Sequence, residues 1–266
     1  MPWIFRGLRD GIITSRWPTR ADDYFDQFPA GVGINDNSLY ADPVQLASAA
    51  QACPTGAISV EPQPQLDRAR CILCGRCVQL APEWFGWEPG SDTARLTRAG
   101  LVVGDIEETD EAIVQVRAAL GRRVRRLRRS VHLRHIDTGS DGSDEWEIQA
   151  LTNPVYDLHR LGIFFTASPR HADILLITGI GAAGMVEPLR RTLVAMPNPT
   201  VVIAVGTDAV SGGLIGGGYT GGVGISDVVP VDVWIPGAPA SPFSVLHGIL
   251  LALGRVPLPA GRSAQC

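Results

Sequence analysis

The feature that most constrains this chain is the run Cys71-Ile-Leu-Cys74-Gly-Arg-Cys77, with Cys53-Pro54 standing 18 positions upstream of Cys71. Three thiols within seven residues must share one tight loop, and a fourth supplied by Cys53 completes a set able to satisfy a cubane iron-sulfur cluster. A structural zinc ion is the competing occupant. Zinc sites usually pair two separate Cys-x-x-Cys knuckles, whereas three closely spaced cysteines plus a distant Cys-Pro suit a cubane. The surrounding elements are short: an Ala-rich helical stretch before Cys53, AISV as a brief strand, a Pro/Gln turn, and a helix opened by CILCGRC. This is a small module built around its cysteines. After Cys77 the next cysteine is Cys266, read as a frayed terminal thiol.

Length and composition bound the rest. At 266 residues the chain makes one large domain or two modest ones, and 45% hydrophobic with 19% charged residues excludes disorder and collagen-like repeats. Asp173, Glu187 and Asp208 interrupt the most apolar stretches, so no window reaches the roughly 20 residues that a membrane span needs. Arg6, Arg9 and Asp10 stand where a signal peptide needs an unbroken apolar run. A reducing cytoplasm is therefore expected, where clustered cysteines bind metal or do redox work. All 23 basic residues are arginine, a bias attributed to genomic composition, within a net charge of −4.

Four segments follow from the pattern. Residues 1–33 read as an irregular arm with Trp3, Ile4, Phe5 and Trp17 as apolar anchors, and residues 34–90 as the cysteine module. Residues 91–133 read as linker and hairpin followed by a basic amphipathic helix. In that helix Ile113, Val116, Leu120, Val124, Leu127 and Val131 recur at spacings of three and four, with Asp110 and Glu111 in the first turn. Residues 134–266 alternate apolar runs (GIFFTA, DILLIT, TVVIAV, VDVWIP) with helices expected over 153–160, 183–195 and 241–253. That alternation implies a parallel sheet with crossovers. The expected fold is an α/β C-terminal domain with a parallel sheet beside a small α+β domain.

Residues 34–90 resemble a bacterial ferredoxin domain that has kept a single cluster. In two-cluster ferredoxins the Cys followed by Pro in each run ligates the other run's cluster. The resemblance makes Cys53 the surviving last cysteine of a first run whose other positions are Pro43, Leu46 and Ala49. The second run has Ala81, before Pro82, where its own last cysteine would stand. The four missing cysteines are one complete ligand set and the four present are the other, so one 4Fe-4S cluster is expected.

From Arg134 to about Val256 the chain carries RHIDTGS, EIQALTNPVYDLHRLGIFF, TASPRHADILLITG, MPNP with VVIAVG, SGG, and VPVDVWIPGAP with SPFSVLHGIL. In that order these stretches resemble the small subunit of membrane-bound, energy-converting NiFe hydrogenases and the 20-kDa iron-sulfur subunit of respiratory complex I. The resemblance implies a flavodoxin-like sheet, beside the small α+β ferredoxin-like domain, in a subunit on the cytoplasmic face of a membrane, partnered by a large subunit and membrane subunits, with a redox donor protein as a further candidate. It also implies a cluster next to the large-subunit site. The family's four cysteines correspond here to Asp141, Asp144, Asp208 and Ala238. Carboxylate oxygens are hard ligands that seldom replace thiolate on iron, so the expected second site is degenerate. A divalent cation on the three aspartates is the alternative.

GIGAAG places Gly179, Gly181 and Gly184 after a strand and before a helix, the context of a dinucleotide fingerprint, although tight packing of a glycine turn explains it as well. Arg117, Arg122, Arg123, Arg125, Arg126, Arg128 and Arg129 make a dense basic helix, expected to face solvent, anionic headgroups or an acidic subunit rather than nucleic acid. His159 and His171 are expected to be structural or at a subunit contact. No residue presents itself as a catalytic acid, base or nucleophile. The expected function is electron transfer through Cys53, Cys71, Cys74 and Cys77; a non-redox scaffold subunit is the alternative, and a dinucleotide-binding protein the lesser one.

Overall fold

The computed structural model describes residues 3–20, 29–35, 42–104, 110–125 and 130–256. Cys266, Leu127, Arg126, Arg128 and Arg129 lie outside them. The cysteine module is framed by five strands, β1 (Pro29–Ile34), β2 (Ile58–Ser59), β3 (Gln65–Asp67), β4 (Phe85–Pro89) and β5 (Val102–Val103). β1 pairs antiparallel with β4, and β3 lies between β2 and β5. The helix Pro43–Ala52 starts where Asp42 accepts the Val44 N–H at 2.9 Å with Pro43 just inside, the arrangement that satisfies a helix's first free donors. Its Leu46 and Ala49 enter a core shared with Val32, Leu66, Cys77 and Phe85.

The larger half is a five-stranded parallel sheet of β6 (Val131–Asp137), β7 (Ile163–Phe165), β8 (Ile174–Thr178), β9 (Val201–Val205) and β10 (Val233–Ile235), in the order β10-β9-β8-β6-β7. β8 (ILLIT) and β9 (VVIAV) are buried at every position, as strands covered on both faces must be. The helix Pro242–Ala252 is buried along its whole length beneath the sheet, and Phe243 there meets Trp17 and Tyr156 edge-on.

Two expectations are corrected. Residues 153–160 do not form an α-helix: the Asn153 side chain accepts the N–H groups of Val155 and Tyr156, Pro154 follows it, and only a 3-10 turn, Leu158–Leu161, results. The α-helix lies upstream, at Ser143–Ala150. Val131 is not on the basic helix either. That helix is described over Asp110–Val124 with Leu120 and Val124 buried and Val116 on its exposed side, whereas Val131 opens β6, next to the sheet's centre.

The two halves are in contact. Ala69 and Leu101 pack into the core on one face of the parallel sheet, and Arg95 forms an isolated antiparallel bridge to Trp234. Arg123 pairs with Asp232 and donates to the Thr200 carbonyl, and Arg117 donates to the Val256 carbonyl at 3.2 Å. Two of the helix's arginines therefore hold it onto the α/β domain. Among the described residues no helix is long and apolar enough to cross a membrane.

Candidate functional site

Asp67 and Arg68 set up the cysteine loop. Asp67 receives Arg98 through both oxygens, at 2.9 and 2.6 Å, and accepts the Ala69 N–H. Arg68 pairs with Glu88 and donates to the Val32 carbonyl at 3.2 Å, which fixes the loop against β1 and β4. Leu73 then takes a positive φ of 56°, turning the chain between Cys71 and Cys74, and the helix Arg76–Leu80 carries Cys77 into the core. Cys77 is buried, Cys53 and Cys71 are half-buried and Cys74 is exposed, all as free thiols.

Burial pushes the Cys71 thiol up to about 11, with the Leu73 N–H opposing and the charges of Cys77, Cys53 and Cys74 adding to the rise. Burial likewise raises Cys77, opposed by the Val78 N–H. The Ala57 N–H donates to the Cys53 sulfur at 3.3 Å. Three of the four sulfurs thus have backbone donors ready for a thiolate, and all four are close enough to feel one another. A zinc ion with bonds of about 2.3 Å gathers its sulfurs to about 3.8 Å apart. Among the described residues no three Cys, His, Asp or Glu side chains are grouped for a single ion. Four thiols, three of them with backbone donors, are a donor set of the kind that holds a 4Fe-4S cluster.

Leu46, Ala49 and Ala81, three of the positions where a second ferredoxin ligand set would stand, are almost wholly buried in the core that also contains Cys77. Pro43 is the first residue of its helix.

Asp141, Asp144, Asp208 and Ala238 all fall beyond the carboxyl ends of β6, β9 and β10. Their environments differ. Asp141 is exposed, and its carboxyl is held below the usual range by the Ser143 hydroxyl and N–H, donating at 2.6 and 2.9 Å. Asp144 is 4% exposed and accepts the Ala240 N–H at 2.9 Å. Burial pushes Asp144 up to about 8, and the charges of Glu145, Asp208 and Asp141 add to the rise. Asp208 is raised by partial burial and by Asp141 and Glu145. Ala238 is exposed. The three aspartates are near neighbours electrostatically, yet they are not grouped for one cation.

Sequence reasoning assigned no role to Glu145, His135, Thr178 or Thr207. The Thr178 hydroxyl donates to Glu145 and lies 2.9 Å from His135 Nε2, a polar chain beside the aspartates; burial lowers the His135 pKa. The Thr207 hydroxyl donates to the Cys71 carbonyl at 3.2 Å, and Ser211 donates to the Ala69 carbonyl at 2.6 Å. A small cleft between the halves is lined by Arg68, Cys71, Leu73, Pro236 and Gly237. The cysteine site and the aspartate site are thus adjoining. The glycine turn is closed by the chain itself: a Cβ at Gly179 would stand 2.7 Å from the Gly139 backbone, and one at Gly181 2.8 Å from the Gly224 carbonyl. His159 is exposed and stacks on Phe164, and His171 is exposed.

Residues 142–252 match the family described as NADH ubiquinone oxidoreductase, 20 Kd subunit, and residues 65–120 match the 4Fe-4S single cluster domain, which takes in Cys71, Cys74 and Cys77. Formate hydrogenlyase subunit 7 of Escherichia coli (strain K12) is 39% identical over 145 residues, 54% of this chain; the chain spans only 56% of that subunit's length. The probable membrane-bound hydrogenase subunit mbhJ of Pyrococcus furiosus is 36% identical over 128 residues, 48% of this chain and 77% of the relative. Among solved structures, a chain of the membrane-bound sulfane sulfur reductase, an archaeal respiratory membrane complex, is 28% identical with a TM-score of 0.44, covering 50% of this chain and 74% of that one. With the ordered motifs, the parallel sheet and a relative matched over most of its length, the chain belongs to the family of the NADH ubiquinone oxidoreductase 20 Kd subunit and the related membrane-bound hydrogenase subunits.

Proposed function

We propose that this chain is the electron-transfer subunit of a membrane-associated hydrogenase- or complex I-like oxidoreductase, with one 4Fe-4S cluster held by Cys53, Cys71, Cys74 and Cys77 and no cluster at Asp141, Asp144, Asp208 and Ala238. When bound, such a cluster accepts and gives up one electron at a time. The observation that carries the reading is the convergence of four thiols with the Ala57, Leu73 and Val78 N–H groups directed at three of them. The raised thiols stay protonated in the metal-free chain, so loading the cluster releases protons and is favoured by rising pH. The burial of Leu46, Ala49 and Ala81 supports a single cluster in the module. The buried Asp144, which accepts the Ala240 N–H and whose carboxyl burial pushes up to about 8, supports a vacated second site.

The chain's residues position rather than react. Thr207 and Ser211 hold the cysteine loop at the carboxyl end of the sheet; Trp146, two residues after Asp144, and Leu214, Ile215, Tyr219 and Val223, in the stretch that follows Asp208, are exposed. Those apolar side chains suit coverage by a large subunit on the cytoplasmic face, which would bring its own redox centre toward Cys71. The burial of Asp144 against the Ala240 N–H also favours a second reading, a scaffold subunit that carries no electrons there. Iron and acid-labile sulfide analysis with low-temperature EPR on anaerobically purified protein tests the cluster. About four irons per chain, lost in Cys74→Ser, is expected; about eight removes the vacated site, and zinc alone removes the ferredoxin assignment. If the EPR signal fails to respond to reduction of the assembled complex, the scaffold reading stands instead.

A further inference from the structure

Among the arginines paired beside the cysteine loop, Arg68 is the most deeply enclosed: 11% of its side chain is exposed, against 35% for Arg98 and 55% for Arg70. Its partner Glu88 is 24% exposed. The strand β1 is shaped to receive this pair. Gly31 and Gly33, two residues apart on one face of β1, are buried; a Cβ at Gly31 would stand 3.4 Å from Arg68 Nε, and one at Gly33 would collide with the Glu88 carboxylate. The Val32 carbonyl accepts Arg68 Nε–H at 3.2 Å, and the Val32 side chain lies in the core that includes Cys77 and against which Cys53 and Cys71 pack. The Cys71 N–H donates to the Arg68 carbonyl at 3.3 Å, and the two residues line the same small cleft. The ion pair therefore borders the ligand set.

The pair helps to fix the loop, but an apolar pair of the same volume would do so as well or better, because two charges must leave water to form an enclosed ion pair. What an apolar pair would not supply is charge. We propose that Arg68 and Glu88 together set the reduction potential of the 4Fe-4S cluster of the proposed function, Arg68 favouring the more negative, reduced form and Glu88 opposing it; the proposal rests on that reading. Net charge and solvent exposure are levers on the potential of such a cluster. The step concerned is the gain of one electron from the donor, and no bond of the pair forms or breaks in it. Other charges on the loop have less hold. Arg70 and Arg76 are exposed, where water and salt screen them, and Asp67 is offset by Arg98 through both oxygens. Arg68 and Glu88 touch no reacting atom and act as positioning residues through their charge.

The test is an EPR-monitored redox titration of the full-length protein loaded anaerobically with iron and sulfide, dithionite supplying the electrons. An uncompensated charge within about 10 Å of a redox centre, at an effective dielectric constant of about 20, changes the reduced-to-oxidised ratio roughly tenfold. For one electron that is about 59 mV. Glu88→Gln leaves Arg68 unopposed and should raise the potential by about that amount. Arg68→Gln leaves Glu88 unopposed and should lower it. Joining the two substitutions should bring the ratio back to within about twofold of the wild type, and Arg68→Lys, which keeps the charge, should leave the potential in place. A pair that only fastens the loop gives another pattern: both single variants shift the potential the same way, and the double variant shifts it at least as far. That pattern, or one potential shared by all loaded variants, overturns the proposal and leaves the cluster assignment intact. If Arg68→Gln takes up no iron, the comparison of Glu88→Gln with Arg68→Lys decides: a rise in the first alone supports the proposal, and any other result overturns it. A wild type that takes up no iron overturns the proposal together with the reading beneath it.

Discussion

The Asp144 carboxyl is enclosed between Gly206 and the Ala240 N–H, so its proton is tied to folding. In the unfolded chain it ionises near about 3.9; in the folded chain burial holds it at about 8. Between those values folding takes up a proton, so stability falls as pH rises, by about 1.4 kcal/mol per unit, and levels off above the folded value. Asp144→Asn keeps an oxygen for the Ala240 N–H and has no such slope. It should gain on the wild type between about pH 5 and about pH 8 in urea unfolding; parallel curves would mean that the wild-type carboxyl is ionised throughout. The same contact explains Gly206, whose φ is +85° and whose Cβ would lie 1.8 Å from Asp144 Oδ2. Gly206→Ala should cost about 2–4 kcal/mol from backbone strain and overpacking together. In an Asp144→Ala background only the backbone part, about 1–2 kcal/mol, should persist in thermal denaturation.

At the scale of elements, the helix Pro43–Ala52 depends on its first turn. Asp42→Ala removes the Val44 cap but leaves the Asp42 carbonyl, which accepts Trp84 Nε1–H at 2.9 Å. The expected loss is about 1 kcal/mol in chemical unfolding; a loss several times larger would show that the cap holds more than the helix. The cysteine spacing and the runs ILLIT and VVIAV were legible in the sequence because ligand sets and doubly buried strands each leave a local signature. β6 was harder. VHLRHID alternates as a strand should, but Val131 also completes the three-and-four spacing of the preceding helix, and periodicity could not separate the two. The Ser143–Ala150 helix was invisible for the opposite reason: the two residues it buries are Ile148 and the carboxyl-bearing Asp144, so it has no apolar stripe to read. The aspartates' positions came from the family resemblance, whereas their unequal environments arise from tertiary contacts with Ala240 and Ser143 that no spacing encodes.

Across the whole molecule, the two halves meet through hydroxyl-to-carbonyl bonds, Thr207 to Cys71 and Ser211 to Ala69, next to the packing of Ala69 and Leu101. Thr207→Val with Ser211→Ala keeps the shapes and removes both bonds, each contributing about 1 kcal/mol. Calorimetry of the double variant should show the cysteine module melting ahead of the α/β domain; a single unshifted transition would mean that apolar contact alone joins them. This seam was not legible in the sequence, since hydroxyls that bind a distant carbonyl look like any surface Ser or Thr. One consequence concerns substitution rather than mechanics. Leu46, Ala49 and Ala81 belong to the core around Cys77. A larger or polar side chain at any of them would have to be accommodated by the neighbours of that thiol. What these three positions can become is therefore set by the interior they help to fill.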